Sequence, residues 1–216
     1  MEEIVKIITN MSGKYAPILI FEDFVKLATI AISNSTDVIH TKIWQKREQQ
    51  YESIISKYTI EEFENFVKIL GILVNLFEKE IYDYLGEIYM KCEMGNSRTG
   101  QFFTPFYLSE LTAKLSIDDI EKLKKTDDII TLNEPTCGGG GLILAYLKIL
   151  KDNNINYQKR VKIVAQDLDF RSVYMTYVQL SLIGARAKVV QGDTLANPNV
   201  KEKECIFYTP TWKGLL

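Results

Sequence analysis

Metal and disulfide chemistry have little to work with in this chain. Its 216 residues include one histidine, His40, and three cysteines, Cys92, Cys137 and Cys205, widely separated and without a CxxC pair. That argues against a zinc site and against a disulfide framework. No long hydrophobic run is present either. The most apolar early stretch, Ala16 to Ile32, is broken by Glu22, Asp23 and Lys26 and does not span a bilayer. A charged leader followed by an apolar core and a cleavage site is missing at the N-terminus. The expectation is a cytoplasmic protein with no membrane partner and no metal. A basic excess is lacking as well. The formal net charge is −2. Residues 1–115 carry 12 Lys/Arg against 16 Asp/Glu, and residues 116–216 carry 14 against 12. Neither half has the field of a strong stand-alone DNA binder. Internal repeats and low-complexity linkers are absent too.

What is present suits a globular chain, with 46% hydrophobic and 25% charged residues. The first half reads as helical. Ile18, Phe21, Phe24, Val25, Leu27 and Ala28 recur at helical spacing until Ser33-Asn34-Ser35-Thr36. A polar helix is predicted over Asp37 to Lys57, with His40 exposed on it. Thr59 to Glu62 forms a capping box. Phe63, Phe66, Val67, Leu70, Leu73, Val74 and Phe77 give the next helix one apolar stripe. A further helix covers Ile81 to Cys92, and Gly95 to Gly100 breaks it.

In the second half the period alternates. Strands are predicted at Asp128 to Leu132, Val161 to Ala165, Ala187 to Val190 and Cys205 to Tyr208. Helices at Leu142 to Leu150 and Phe170 to Ile183 separate the first three. This succession implies an α/β fold of parallel βαβ units with helices on the faces. Ligands of such sheets sit at the carboxyl ends of the strands.

Three clusters fall at those ends. Glu134-Pro135-Thr136-Cys137-Gly138-Gly139-Gly140-Gly141 follows the first strand and opens a helix. Its glycines permit positive φ and close approach of backbone to a ligand. A P-loop is excluded because no Gly-Lys-Ser/Thr follows; a dinucleotide site is a weaker alternative. Cys137 reads as a small packing residue. Asp167 ends the second strand, where a carboxylate accepts from both hydroxyls of a ribose, and Asp169 reads as a helix cap. Asp193 follows the third strand, placed to accept from an adenine amino group, with Leu168 covering the adenine face. Arg98 and Arg171 read equally as phosphate contacts or surface ion pairs.

With these clusters in place, the chain resembles the modification subunits of type I restriction systems and related N6-adenine DNA methyltransferases, from about Gly100 to Trp212. Gly100-Gln101-Phe102-Phe103-Thr104-Pro105 looks like that family's Gly-x-Phe-Phe/Tyr-Thr-Pro motif, although Thr104-Pro105 also reads as a helix start. Glu134 to Gly141 resembles Asp-Pro-Ala-Cys-Gly-Ser-Gly-Gly, Gln166-Asp167 resembles Gln-Glu, and Gly192-Asp193-Thr194-Leu195 matches the adenine end. The resemblance implies an N-terminal helical domain over 1–99. It also implies a partial methyltransferase domain over 100–216, with a truncated Rossmann-like sheet of about four strands. The implied cofactor is S-adenosylmethionine. Phe103 and Thr104 would lie over its methionine end, and Glu134, Thr136, Gly138, Gly140, Asp167, Leu168 and Asp193 would complete the pocket. DNA and a specificity or other protein would be the partners.

The family's catalytic Asn/Asp-Pro-Pro-aromatic motif is altered here to Thr209-Pro210-Thr211-Trp212. In the family's chemistry the polar residue and a backbone carbonyl hold the N6 amine of a flipped adenine, and the aromatic residue stacks on the base. Thr209, Pro210 and Trp212 are the corresponding candidates. Thr209 brings one short hydroxyl where an amide or carboxylate belongs. The expected function is S-adenosylmethionine-dependent adenine N6 methylation of DNA, by an enzyme or its modification subunit. The alternative is a catalytically inactive relative that acts by binding a protein, for instance against a restriction or defence system. An unpaired outer edge on the fourth strand would call for cover from the N-terminal helices, a second copy in a homodimer or another protein.

Overall fold

Local rules explain the helical half first. The computed structural model describes residues 1–93, 102–198 and 200–214. In it α1 (Glu2–Met11), α2 (Pro17–Ser35), α3 (Lys42–Ile55), α4 (Ile60–Lys79) and α5 (Tyr84–Glu93) follow one another. Pro17 opens α2, where its missing N–H is no loss. The Thr59 capping box at α4 is reciprocal: Thr59 N donates to Glu62 at 2.7 Å and Glu62 N donates to the Thr59 hydroxyl at 3.2 Å. The stripe of α4 is rotated from the expected one. Phe66, Ile69, Leu73 and Phe77 are buried, whereas Val67 and Val74 are exposed.

Helix α3 starts later than its polar pattern predicts. The Thr41 hydroxyl caps it by accepting from Trp44 N at 3.3 Å. His40 lies before the helix, not on it, at a left-handed φ of 50° that no helical residue adopts. Its ring stacks on Trp44 with centroids 4.1 Å apart.

The second half contains α6 (Phe106–Ser116), α7 (Ile120–Lys124), β1 (Ile130–Glu134), α8 (Gly141–Asp152), α9 (Tyr157–Arg160), β2 (Val161–Asp167), α10 (Phe170–Leu182), β3 (Arg186–Gln191) and β4 (Ile206–Tyr208). Thr104 does not cap α6. That helix starts after Pro105 with no side-chain cap. The sheet order is β1-β2-β3-β4, and β1, β2 and β3 are parallel. Both βαβ crossovers step one strand in the same direction, so right-handedness puts α8 and α10 on one face. That face carries Leu132, Ile163, Ala187, Val189 and Phe207 into a core that continues through α10 to α2 and α1.

The opposite face is open. Thr131, Asn133 and Lys162 are exposed there, and Arg186, Lys188 and Tyr208 are half-buried. Among the described residues two pieces cover part of it: the segment after β3, where Val200 packs on Val190 and Ile206, and Trp212, whose ring lies over Lys162 and Arg186. Helices on both faces, as the strand succession suggested, are therefore not found among the described residues.

A second correction concerns β4. It pairs antiparallel with β3, Val190 opposite Ile206 and Lys188 opposite Tyr208. Among the described residues no α-helix lies between the two strands, only a short 3-10 turn at Lys203–Cys205, so the chain stays at the carboxyl end of β3 and doubles back. The N-terminal helices meet the outer side of β4. Arg47 of α3 donates to the Ile206 carbonyl at 3.2 Å, and its guanidinium lies 4.5 Å from the Phe207 ring centroid. Among the described residues no helix is long and apolar enough to cross a membrane.

Candidate functional site

The turn from β1 into α8 is shaped by its glycines. Gly138 and Gly140 have φ of 52° and 93°. A Cβ on Gly138 would lie 3.3 Å from the Phe103 ring, and one on Gly140 would lie 3.1 Å from the Thr176 hydroxyl. Side chains of later elements pin the turn from below. Gly138 N donates to Asp167 Oδ2 at 2.8 Å, the Thr176 hydroxyl donates to the Gly138 carbonyl at 2.8 Å, and Gln179 Nε2 donates to the Gly139 carbonyl at 2.7 Å. Cys137 is buried in this turn, and burial pushes its thiol up to about 12. A thiol so protonated is no nucleophile at neutral pH.

Above the turn lies a cleft of about 450 Å³. Phe103, Thr104, Glu134, Thr136, Gly138 and Asp167 line it, so the structure brings these candidates together. Gly140 is buried just beneath and opens α8. Gly100 and Gln101 of the upstream motif, and Arg98, lie outside the described residues. The Phe103 ring is held edge-on against Tyr89, with centroids 5.0 Å apart. Asp167 is braced at both oxygens, since Asp169 N donates to Oδ1 at 2.9 Å. Each oxygen keeps a further lone pair for a ligand.

Two candidates stand outside the lining. Leu168 is 67% exposed. Asp193 is exposed, and its Oδ1 accepts from Leu195 N at 2.9 Å and Ala196 N at 3.1 Å, a turn-capping role. Its loop is nevertheless tied to the glycine turn, because the Thr194 hydroxyl donates to the Pro135 carbonyl at 2.6 Å. Arg171 pairs with Glu22 at 3.0 Å and Asp169 at 2.8 Å, an ion-pair arrangement.

Thr209, Pro210 and Trp212 are not brought to the cleft. Because β4 runs antiparallel, its carboxyl end lies at the amino ends of the other strands, away from the glycine turn at their carboxyl ends. Thr209 is fully buried there. Its hydroxyl accepts from Ala187 N at 2.9 Å and donates to the Ala185 carbonyl at 2.7 Å, so its proton is committed to the start of β3. Trp212 lies 5.7 Å from Tyr208, centroid to centroid, and Lys162 Nζ sits 4.9 Å from its ring centroid.

Asp83 and Ser109 also line the cleft and were not foreseen. Asp83 precedes α5, and its Oδ1 accepts from Gly86 N at 2.9 Å, as an N-cap does. Gln179 Nε2 donates to the same oxygen at 2.8 Å while its Oε1 accepts from Leu85 N at 3.1 Å. Gln179 thus joins the start of α5 to the glycine turn. Desolvation raises the pKa of the Asp83 carboxyl, which no described Lys or Arg pairs. Among the described residues the lining has three carboxylates, Asp83, Glu134 and Asp167, and no Lys, Arg or His. Phosphate ligands are repelled by such a wall, which argues against the dinucleotide alternative.

No curated protein sequence matches the chain. Among the solved structures that resemble it are the following two. One, from Listeria monocytogenes, is described as a class I S-adenosylmethionine-dependent methyltransferase, with 14% identity over 84% of this chain and 56% of that one, at a TM-score of 0.43. The other is the methyltransferase subunit of a type I restriction-modification system from Streptococcus thermophilus, with 16% identity over 90% of this chain and 43% of that one, at a TM-score of 0.45. The chain thus spans about half the length of these structures. The model of the N-6 DNA methylase family matches residues 76–212, from α4 through the glycine turn to Trp212. The chain belongs to the N-6 DNA methylase family.

Proposed function

We propose that this chain binds S-adenosylmethionine in the cleft above the glycine turn and serves methylation of adenine N6 in DNA, with a specificity protein as partner. The observation that carries the reading is the charge of the lining. Three carboxylates and, among the described residues, no cation, beside a glycine turn with two positive-φ residues, suit a ligand of net positive charge. The bound cofactor supplies an electrophilic methyl on a sulfonium.

In this reading Asp167 accepts from the ribose hydroxyls, Glu134 and Thr136 border the sugar, and Phe103 and Thr104 close over the amino-acid end. The backbone of Gly138 and Gly140 allows the approach. Leu168 and Asp193, at the rim, attend the adenine end. Neither the flipped substrate base nor its holding groups follow from Thr209, Pro210 and Trp212 where they stand. That placement favours a second reading, a cofactor-binding member that does not itself catalyse and acts by contacts with another protein.

The two readings separate in one pair of measurements. Calorimetric titration with S-adenosylmethionine should show one site per chain. Incorporation of labelled methyl into adenine of duplex DNA is then measured with and without the candidate specificity protein. Binding with incorporation supports the first reading, and binding without incorporation under both conditions supports the second. Absence of cofactor binding sinks both.

A further inference from the structure

Asp83 has a feature that capping does not explain. It is only 4% exposed. Both its hydrogen bonds fall on Oδ1, from Gly86 N at 2.9 Å and Gln179 Nε2 at 2.8 Å. Among the described residues no donor is recorded on Oδ2. That oxygen lies beside the glycine turn. A Cβ on Gly141 would come within 2.9 Å of it and within 3.4 Å of the Ser109 hydroxyl, and a Cβ on Gly139 within 3.7 Å. Gly86 is equally close, since a Cβ there would overlap the carboxylate at 2.2 Å. Glycine at 86, 139 and 141 thus leaves room around one carboxylate oxygen on the cleft wall.

A buried carboxylate without a cationic partner is costly, and the cost is recovered when a cation with N–H donors docks. A sulfonium has no N–H to give; an ammonium has three. We propose that Asp83 receives the α-ammonium group of the cofactor's amino-acid portion at Oδ2, with the Ser109 hydroxyl beside it. The assignment rests on the S-adenosylmethionine reading. It gives the helical half a direct part in binding, through a residue outside the glycine motif.

The test uses S-adenosylhomocysteine and its analogue lacking the α-amino group, titrated calorimetrically into the wild type and Asp83→Asn. Asparagine keeps an oxygen for Gly86 N and Gln179 and removes the charge. The wild type is expected to prefer S-adenosylhomocysteine by about 10- to 100-fold, the value of a charge-assisted hydrogen bond. Asp83→Asn should lose that preference while binding the deaminated analogue as the wild type does. Equal weakening toward both ligands, or an unchanged preference, overturns the assignment and leaves the cofactor reading standing. If the wild type binds neither ligand, the cofactor reading falls and the assignment with it. Should Asp83→Asn fail to fold, the wild type decides alone, and a preference below about threefold overturns the assignment.

Discussion

Replacing Gln179 with methionine would test whether the glycine turn is held from below. The side chain is fully buried in α10 and makes three hydrogen bonds, to Leu85 N, Asp83 Oδ1 and the Gly139 carbonyl. Methionine nearly matches its volume, so little cavity arises and the polar loss is isolated. Two buried backbone groups, Leu85 N–H and Gly139 C=O, are left without this partner, each costing about 1–3 kcal/mol. One charge-assisted bond to Asp83 is lost as well. Allowing for partial relaxation, the net destabilisation is about 4 kcal/mol. In a chain of this size that lowers Tm by roughly 8–16 °C. Urea unfolding followed by circular dichroism, with a thermal scan, measures it. A loss below about 1 kcal/mol would refute the claim that Gln179 couples α5 to the turn.

Thr209→Val should destabilise the fold by about 2 kcal/mol, because Ala187 N and the Ala185 carbonyl lose a buried partner. Cofactor affinity by calorimetry should not change; a weakened cofactor site would contradict the placement of Thr209 away from the cleft. Gly140→Ala forces a side chain onto φ 93° with its Cβ 3.1 Å from the Thr176 hydroxyl, and should cost about 1–3 kcal/mol in unfolding experiments. The Asp83 pKa is raised in the folded state by burial. Its proton therefore favours folding, and that contribution is complete below the unfolded carboxylate range and lost as pH rises through the raised folded value. Without ligand, Asp83→Asn should be at least as stable as wild type at neutral pH, and its advantage should vanish on acidification. A wild type that gains on the variant as pH rises would reverse that sign.

The pocket was easier to read from the sequence than the sheet around it. Glu134, the glycines and Asp167 declare themselves because a strand, a tight turn and a helix dictate residue types over a short span. The fourth strand did not. A three-residue run such as Ile206–Tyr208 shows β character, but alternation carries no direction. Its pairing is decided by tertiary contacts, among them Arg47 on Ile206. Thr209 looked like a reaction-site residue by its position after that strand, and the reversal of direction moved it to the amino ends of the parallel strands. Asp83 was passed over for a different reason. The predicted helix over Ile81 to Cys92 placed it inside the helix, whereas α5 starts at Tyr84 and Asp83 caps it, and nothing nearby announces a partner 96 positions away at Gln179. The misjudged stripe of α4 was a matter of angle, since Val67 and Val74 flank the buried row by one helical position.

The bridge between Asp83 and Gln179 also imposes an order on biosynthesis. Helices α1 to α5 leave the ribosome well before α10, so the carboxylate and the first turn of α5 wait for their partner while α2 waits for the surface it covers. Until then the face of α2 that packs on α10 has no cover. Docking of α10 completes the helical core and the floor of the glycine turn in one step. A chain arrested before residue 179 should therefore be a client for chaperones, and release from them should coincide with the appearance of a competent cleft.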